Sequence, residues 1–79
     1  MRIDKFLKLS RIIIRRTVAK DATAGGNVKI NEKIAKPSDN VKVGDIIEVS
    51  FGSKTLKIEV LDIRENVPKS EAESLYKIL

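Results

Sequence analysis

Arg2, Lys5, Lys8, Arg11, Arg15, Arg16 and Lys20 place seven cations in the first twenty residues, against a single acid, Asp4. Residues 21–79 carry nine Lys or Arg against ten Asp or Glu, so the net charge of +5 is held at one end of the chain. The chemistry open to such a cluster is electrostatic. Guanidinium forks meet phosphate oxygens in two-point geometry and stack on exposed bases, and neutralised phosphates release condensed counterions. A basic surface on an otherwise balanced domain is the footprint of a polyanion binder, and nucleic acid is the first candidate. On charge clustering alone, a merely solvated helix face is an equally good account.

Other chemistries lack their parts. The chain has neither histidine nor cysteine, so the commonest general base, the Ser-His and Cys-His nucleophile pairs, soft metal ligands and disulfide staples are all missing. No paired carboxylates or nucleophile constellation can be assembled, and the expectation is a protein without enzymatic activity, cofactor or metal. Gly25-Gly26 lacks the lysine and spacing of a nucleotide-cradling loop. No apolar run approaches the roughly 20 residues needed to span a bilayer; the longest, Ile12-Ile13-Ile14, is bracketed by arginines. Met1-Arg2-Ile3-Asp4-Lys5 has no apolar core of a signal peptide, and a cytoplasmic protein is expected.

At 79 residues the chain makes one domain, which buries only about 60% of the surface its unfolded form exposes. Ile3, Phe6, Leu7, Ile13 and Ile14 fall on one arc at helical spacing, with Arg2, Lys5, Lys8 and Arg11 opposite. The pattern predicts a helix from Ile3 to about Ser10, with Phe6, Leu7, Ile13 and Ile14 in the core. Asp4 meets the positive end of the helix dipole and restrains neighbouring arginines. Thr17 is placed as the N-cap of a second helix, about Val18 to Ala24, with Val18, Ala19 and Ala22 as its apolar positions and Gly25-Gly26 as its stop.

From Val28 the period changes to alternation. Val28 and Ile30, a turn at Asn31-Glu32-Lys33 and Ile34 read as a small hairpin. Pro37 keeps Lys36-Pro37-Ser38 out of a central strand, and Val43-Gly44-Asp45 turns into a strand Ile46 to Phe51. After Gly52-Ser53 a second long strand runs from Thr55 to Ile63, with Leu56, Ile58 and Val60 on one face. Ser70 and Glu73 have capping-box spacing, which predicts a short C-terminal helix carrying Leu75, Tyr76, Ile78 and Leu79. The fold class is α+β: two short N-terminal helices on a small, mainly antiparallel sheet, with a short C-terminal helix.

The order of these elements resembles the RNA-binding domain named after small-subunit ribosomal protein S-four, an αL-type module. The matching pieces are Arg2-Ile3-Asp4-Lys5-Phe6-Leu7, Ser10-Arg11, Arg16 with Ala19, and Gly26-Asn27-Val28-Lys29-Ile30-Asn31. Lys36-Pro37-Ser38, Val41 and Val43-Gly44-Asp45-Ile46-Ile47-Glu48-Val49 complete them, so the likeness covers about residues 2–50, and 51–79 complete the sheet and add the last helix. Pro68 to Tyr76 is similar to the small heat-shock members that bind stalled large ribosomal subunits. The length and Arg15-Arg16-Thr17 are similar to the RqcP branch. Ala22-Thr23 departs from a usual Leu-Ile pair, which weakens the expected packing of the second helix, and Arg15 replaces a common serine.

The resemblance implies a protein seated on the large ribosomal subunit, touching rRNA and peptidyl-tRNA through its helical face and holding the tRNA during alanine tailing, with RqcH as the cooperating factor. Arg2, Lys5, Arg11, Arg15, Arg16, Thr17 and Lys20 are the candidate RNA contacts, with Arg11 and Arg16 foremost because they occupy matched positions. Asn31 and Lys36 are further candidates, although each has an equally good structural reading. Lys8 shares the charged arc without motif support. Three aromatic residues are too few for a stacking platform, so recognition rests on shape and phosphate. The alternatives are a general rRNA- or tRNA-binding stress protein, a basic amphipathic helix on a membrane surface, which would compete with the core for Phe6 and Leu7, and an RNA-modifying enzyme.

Overall fold

In a computed structural model describing residues 1–79, the alternating stretch builds five strands: β1 (Val28–Ile30), β2 (Lys33–Ile34), β3 (Ile46–Phe51), β4 (Lys54–Val60) and β5 (Tyr76–Ile78). They form one antiparallel sheet in the order β2-β1-β3-β4-β5. The register sets Val28 beside Val49 and Leu56, and Ile30 beside Ile47, Ile58 and Ile78. Because side chains alternate along a strand, these rows share one face, on which Val28, Ile47, Val49, Ile58 and Val60 lose all exposure. The other face carries the row Lys29, Glu48 and Lys57, with Lys57 Nζ 3.8 Å from Glu48 Oε1.

Two helices cover the apolar face, α1 (Ile3–Leu9) and α2 (Arg16–Ala24). Ile3, Phe6 and Leu7 of α1 are fully buried. α2 meets α1 through Ala19 and Thr23, four residues apart on one side of the helix. The buried Thr23 hydroxyl donates to the Ala19 carbonyl at 2.7 Å, so this polar residue in the seam leaves no orphaned group. The start of α1 is fixed by the chain that follows the hairpin: Ile3 N donates to Asp39 O at 2.7 Å and Val41 N to Met1 O at 2.9 Å. The Lys36–Asp39 turn is thereby held beside the first turn of α1.

Several local expectations are corrected. Thr17 is not the cap of α2: the helix already begins at Arg16, Arg15 takes the extended cap position, and no side chain caps it. Ile14 and Val18 are exposed, at 64% and 50%, instead of lying in the core. The chain leaves α1 at Ser10 and Arg11 turns left-handed (φ 61°), so the helical register that aligned Ile14 with Ile13 is broken. Val18 lies one position from the Ala19–Thr23 seam, about 100° around the helix.

The long strand ends at Val60 rather than Ile63, where Leu61 N and Asp62 N turn to the Leu75 carbonyl. The C-terminal segment is a 3-10 helix, Lys69–Leu75, capped at Pro68 instead of Ser70, and Tyr76–Ile78 is strand β5 rather than helix. A helix of this length is marginal by itself, whereas the free edge of β4 offers ladder partners at Ile58, Glu59 and Val60.

Candidate nucleic-acid interface

Asp4 is the pivot of the basic end. Its side chain is almost fully buried, yet it carries the only acidic charge in the first twenty residues. Arg2, in extended backbone just before α1, donates from Nε to Asp4 Oδ1 at 3.2 Å and from Nη2 to Oδ2 at 3.0 Å. Arg16, at the first position of α2, brings Nη2 to 3.6 Å from Asp4 Oδ1. Lys20 follows Arg16 by four residues and shares its side of α2. Arg2, Arg16, Thr17 and Lys20 together line a shallow depression around Asp4.

The carboxylate orients the cations without neutralising them. Three cationic side chains face one anion, and 46% and 48% of the Arg2 and Arg16 side chains stay exposed. Each guanidinium has five donors, so those not turned to Asp4 remain open to a ligand. A buried acid that restrains two arginines in fixed forks suits recognition of phosphate by geometry as well as by charge.

The other candidates are arranged differently. Lys5 pairs with Glu65 in the segment after β4, and that hydrogen bond and charge hold the Glu65 carboxyl below the ordinary glutamate value. Arg11 and Arg15 are exposed in and beside the α1–α2 connection, with no acidic group within salt-bridge distance. Lys36 is exposed in the turn tied to α1, its backbone N–H donating to Asp39 Oδ2 at 2.9 Å. Asn31 stands apart in the β1–β2 turn with φ 50°; Nδ2 donates to Asp45 Oδ1 at 3.1 Å and Oδ1 accepts from Ile46 N at 2.9 Å. Both ends of its amide therefore join the hairpin to β3.

Sequence reasoning passed over two features. Ile14 and Val18 leave apolar side chains exposed among the arginines; the break after α1, which turns Ile14 outward, has no strong local signal in the sequence. Lys69 and Tyr76 join Arg11 around a second depression, a juxtaposition made by tertiary packing of residues far apart in the chain. Phe6 and Leu7 are sealed in the core, so α1 has no apolar side to offer a membrane surface, and no helix is long and apolar enough to cross a membrane. No three potential metal-ligating side chains converge.

Residues 1–47 match the S4 domain family. Over all 79 residues the chain is 46% identical to the RQC P-site tRNA stabilizing factor of Streptococcus pneumoniae, of which it covers 90%. It is 46% identical, also over 79 residues, to the RQC P-site tRNA stabilizing factor of Bacillus subtilis, covering 92% of it. Among solved structures, Heat Shock Protein 15 of Vibrio cholerae superimposes with a TM-score of 0.91 at 31% identity, covering all of this chain and 81% of that one.

Proposed function

The chain belongs to the S4-domain proteins and, within them, to the RQC P-site tRNA stabilizing factors, and from that membership we propose that it binds stalled large ribosomal subunits carrying peptidyl-tRNA and steadies the tRNA while the nascent chain is tailed with alanine. The observation that carries this reading is the Asp4-centred cluster of Arg2, Arg16, Thr17 and Lys20, built wholly within the segment matched to the S4 domain. Cations held at fixed spacing on two packed helices read the shape of a folded phosphate backbone, which flexible basic tails cannot do. Arg11, Arg15 and Lys36 extend that surface, Lys5 joins it by exchanging Glu65 for phosphate, and Asn31 contributes through the turn it closes. Large-subunit rRNA and peptidyl-tRNA are the ligands and RqcH is the cooperating factor. The protein acts in the cytoplasm by holding position, without making or breaking bonds.

Co-sedimentation with purified large subunits, with and without bound peptidyl-tRNA, tests the reading. Retention on tRNA-bearing subunits should exceed that on vacant ones, weaken steeply with salt, and be lost in Arg2→Ala plus Arg16→Ala. Unchanged retention of that double variant, confirmed folded by circular dichroism, would overturn it.

A further inference from the structure

Between the end of α1 and the 3-10 helix lies a depression larger than the one around Asp4, lined by Arg11, Lys69, Ser70, Glu73 and Tyr76. Four of these five residues fall beyond residue 47, outside the segment matched to the S4 domain. Neither Arg11 nor Lys69 has an acidic partner within salt-bridge distance, unlike Arg2, Lys5, Arg16, Lys57 and Arg64. Arg11 occupies the left-handed position just past a helix, where glycine ordinarily sits. A long cation is thus kept at a place where its backbone is strained by about 1 kcal/mol. Tyr76 is half-buried; it packs against the core cluster and also lines the depression, which fixes its ring in place while leaving part of it open.

Two unpaired cations, a fixed aromatic ring, a hydroxyl and one carboxylate are the complement of a nucleotide: phosphate, base, and the hydroxyl or amino groups between. Resting on the RNA-binding reading above, we infer that this depression takes one unpaired nucleotide of the bound RNA. Its phosphate meets Arg11 and Lys69 and its base lies against Tyr76. Glu73 repels phosphate and accepts from ribose hydroxyl or base amino groups, which sets the direction in which the nucleotide lies. α1 separates this site from the Asp4 cluster by about 10 Å at 1.5 Å per residue, short enough for one RNA strand to reach both.

Tyr76 is the only tyrosine and the chain has no tryptophan, so its ring-proton NMR signals are assigned without ambiguity, and their dependence on Arg11 and Lys69 separates this site from the smaller hollow that Tyr76 shares with Glu73 and Ile78. A short oligoadenylate should shift those signals upfield, whereas an abasic strand of equal length should bind without that displacement. Arg11→Ala plus Lys69→Ala should weaken the oligoadenylate-induced shift about tenfold in ligand concentration, in the range expected for stacking and phosphate contacts. Strand binding seen by fluorescence anisotropy with the Tyr76 signals unmoved would overturn the nucleotide site while leaving the helical-face reading intact. No binding of any RNA by anisotropy would overturn both. An acidic peptide that shifts Tyr76 when oligoadenylate does not would overturn the inference in favour of a protein ligand.

Discussion

The carboxylate of Asp4, on α1, lies 3.6 Å from the guanidinium of Arg16, the first residue of α2. One buried acid therefore ties the angle between two helices to the position of the cations they present, since Arg2 grips the same carboxylate. Replacing the acid makes the surface more positive and less organised at once. A flexible polyanion senses mainly the added charge, whereas a folded one senses the lost organisation as well.

Asp4→Asn is accordingly expected to lower the affinity for tRNA-bearing large subunits while leaving heparin binding unchanged or stronger. The same substitution should cost about 1–2 kcal/mol of stability; the loss is held below that of a fully buried ion pair because both arginines stay half exposed. Urea unfolding gives the second quantity, and parallel binding titrations give the first. Weaker binding to heparin and subunits alike would show that Asp4 acts only on folding.

Glu65 pairs with Lys5, and in the proposed complex it competes with RNA for that ammonium group. Glu65→Gln frees that ammonium group, and the salt dependence of RNA binding should steepen by up to about one phosphate contact, a change in slope near 0.7–0.9. Salt-dependent titrations of wild type and variant measure it.

The same pair has a pH signature. With the Glu65 pKa held below its ordinary value by the Lys5 hydrogen bond and charge, the ion pair's contribution is complete above the ordinary glutamate range and is lost as pH falls through the lowered pKa. In Lys5→Met the Glu65 carboxyl should titrate at a higher pH than in wild type. Carboxyl-carbon NMR follows that group directly, and coincident titration curves would refute the coupling.

Asn31 closes the hairpin with a backbone that most side chains resist. It holds φ at 50° and its amide spans Asp45 and Ile46, while the other Asp45 oxygen accepts from Lys42 N at 2.9 Å. Asn31→Ala loses both amide bonds and keeps the strained backbone, so it should cost about 2 kcal/mol; Asn31→Gly should cost less because glycine accepts that φ. Equal denaturant midpoints for the two variants would mean that the amide bonds, not the backbone, dominate, and a reversed order that glycine's greater freedom in the unfolded chain outweighs the strain.

How much of this was legible beforehand follows from the range of the forces involved. Ile3, Phe6 and Leu7, and the alternating rows of β3 and β4, were readable because their periodicity records burial directly. The basic end was readable as charge, and Asp4 as the acid restraining its arginines. Ile14 was misplaced because one left-handed residue, Arg11, reset the helical phase, and an arginine gives none of the warning a glycine would; Val18 was misplaced because Ala19 and Thr23 form the buried side of α2. Tyr76–Ile78 looked helical because leucine and isoleucine spacing over so few residues fits either period. The open edge of β4 decided the matter, and no local pattern encodes it. The Arg11, Lys69 and Tyr76 grouping was hidden for the same reason.

Arg11 offers a way to separate stability from binding in a single substitution. Its backbone sits at φ 61° immediately beyond α1, where its N–H donates to the Lys8 carbonyl at 3.1 Å and Ile13 N donates to Leu7 O at 3.1 Å, closing the end of the helix. Glycine would adopt that conformation without strain and preserve both backbone bonds, so Arg11→Gly is expected to stabilise the fold by about 1 kcal/mol. The same change removes a cation with no acidic partner from the border of the helical face, and affinity for tRNA-bearing subunits should fall severalfold. Thermal unfolding and subunit binding on one preparation measure both. A variant that becomes more stable and binds as tightly as before would mean that the strained arginine contributes nothing to the RNA surface, whereas a destabilised one would mean that its side chain supports the helix end by contacts stronger than the strain it imposes.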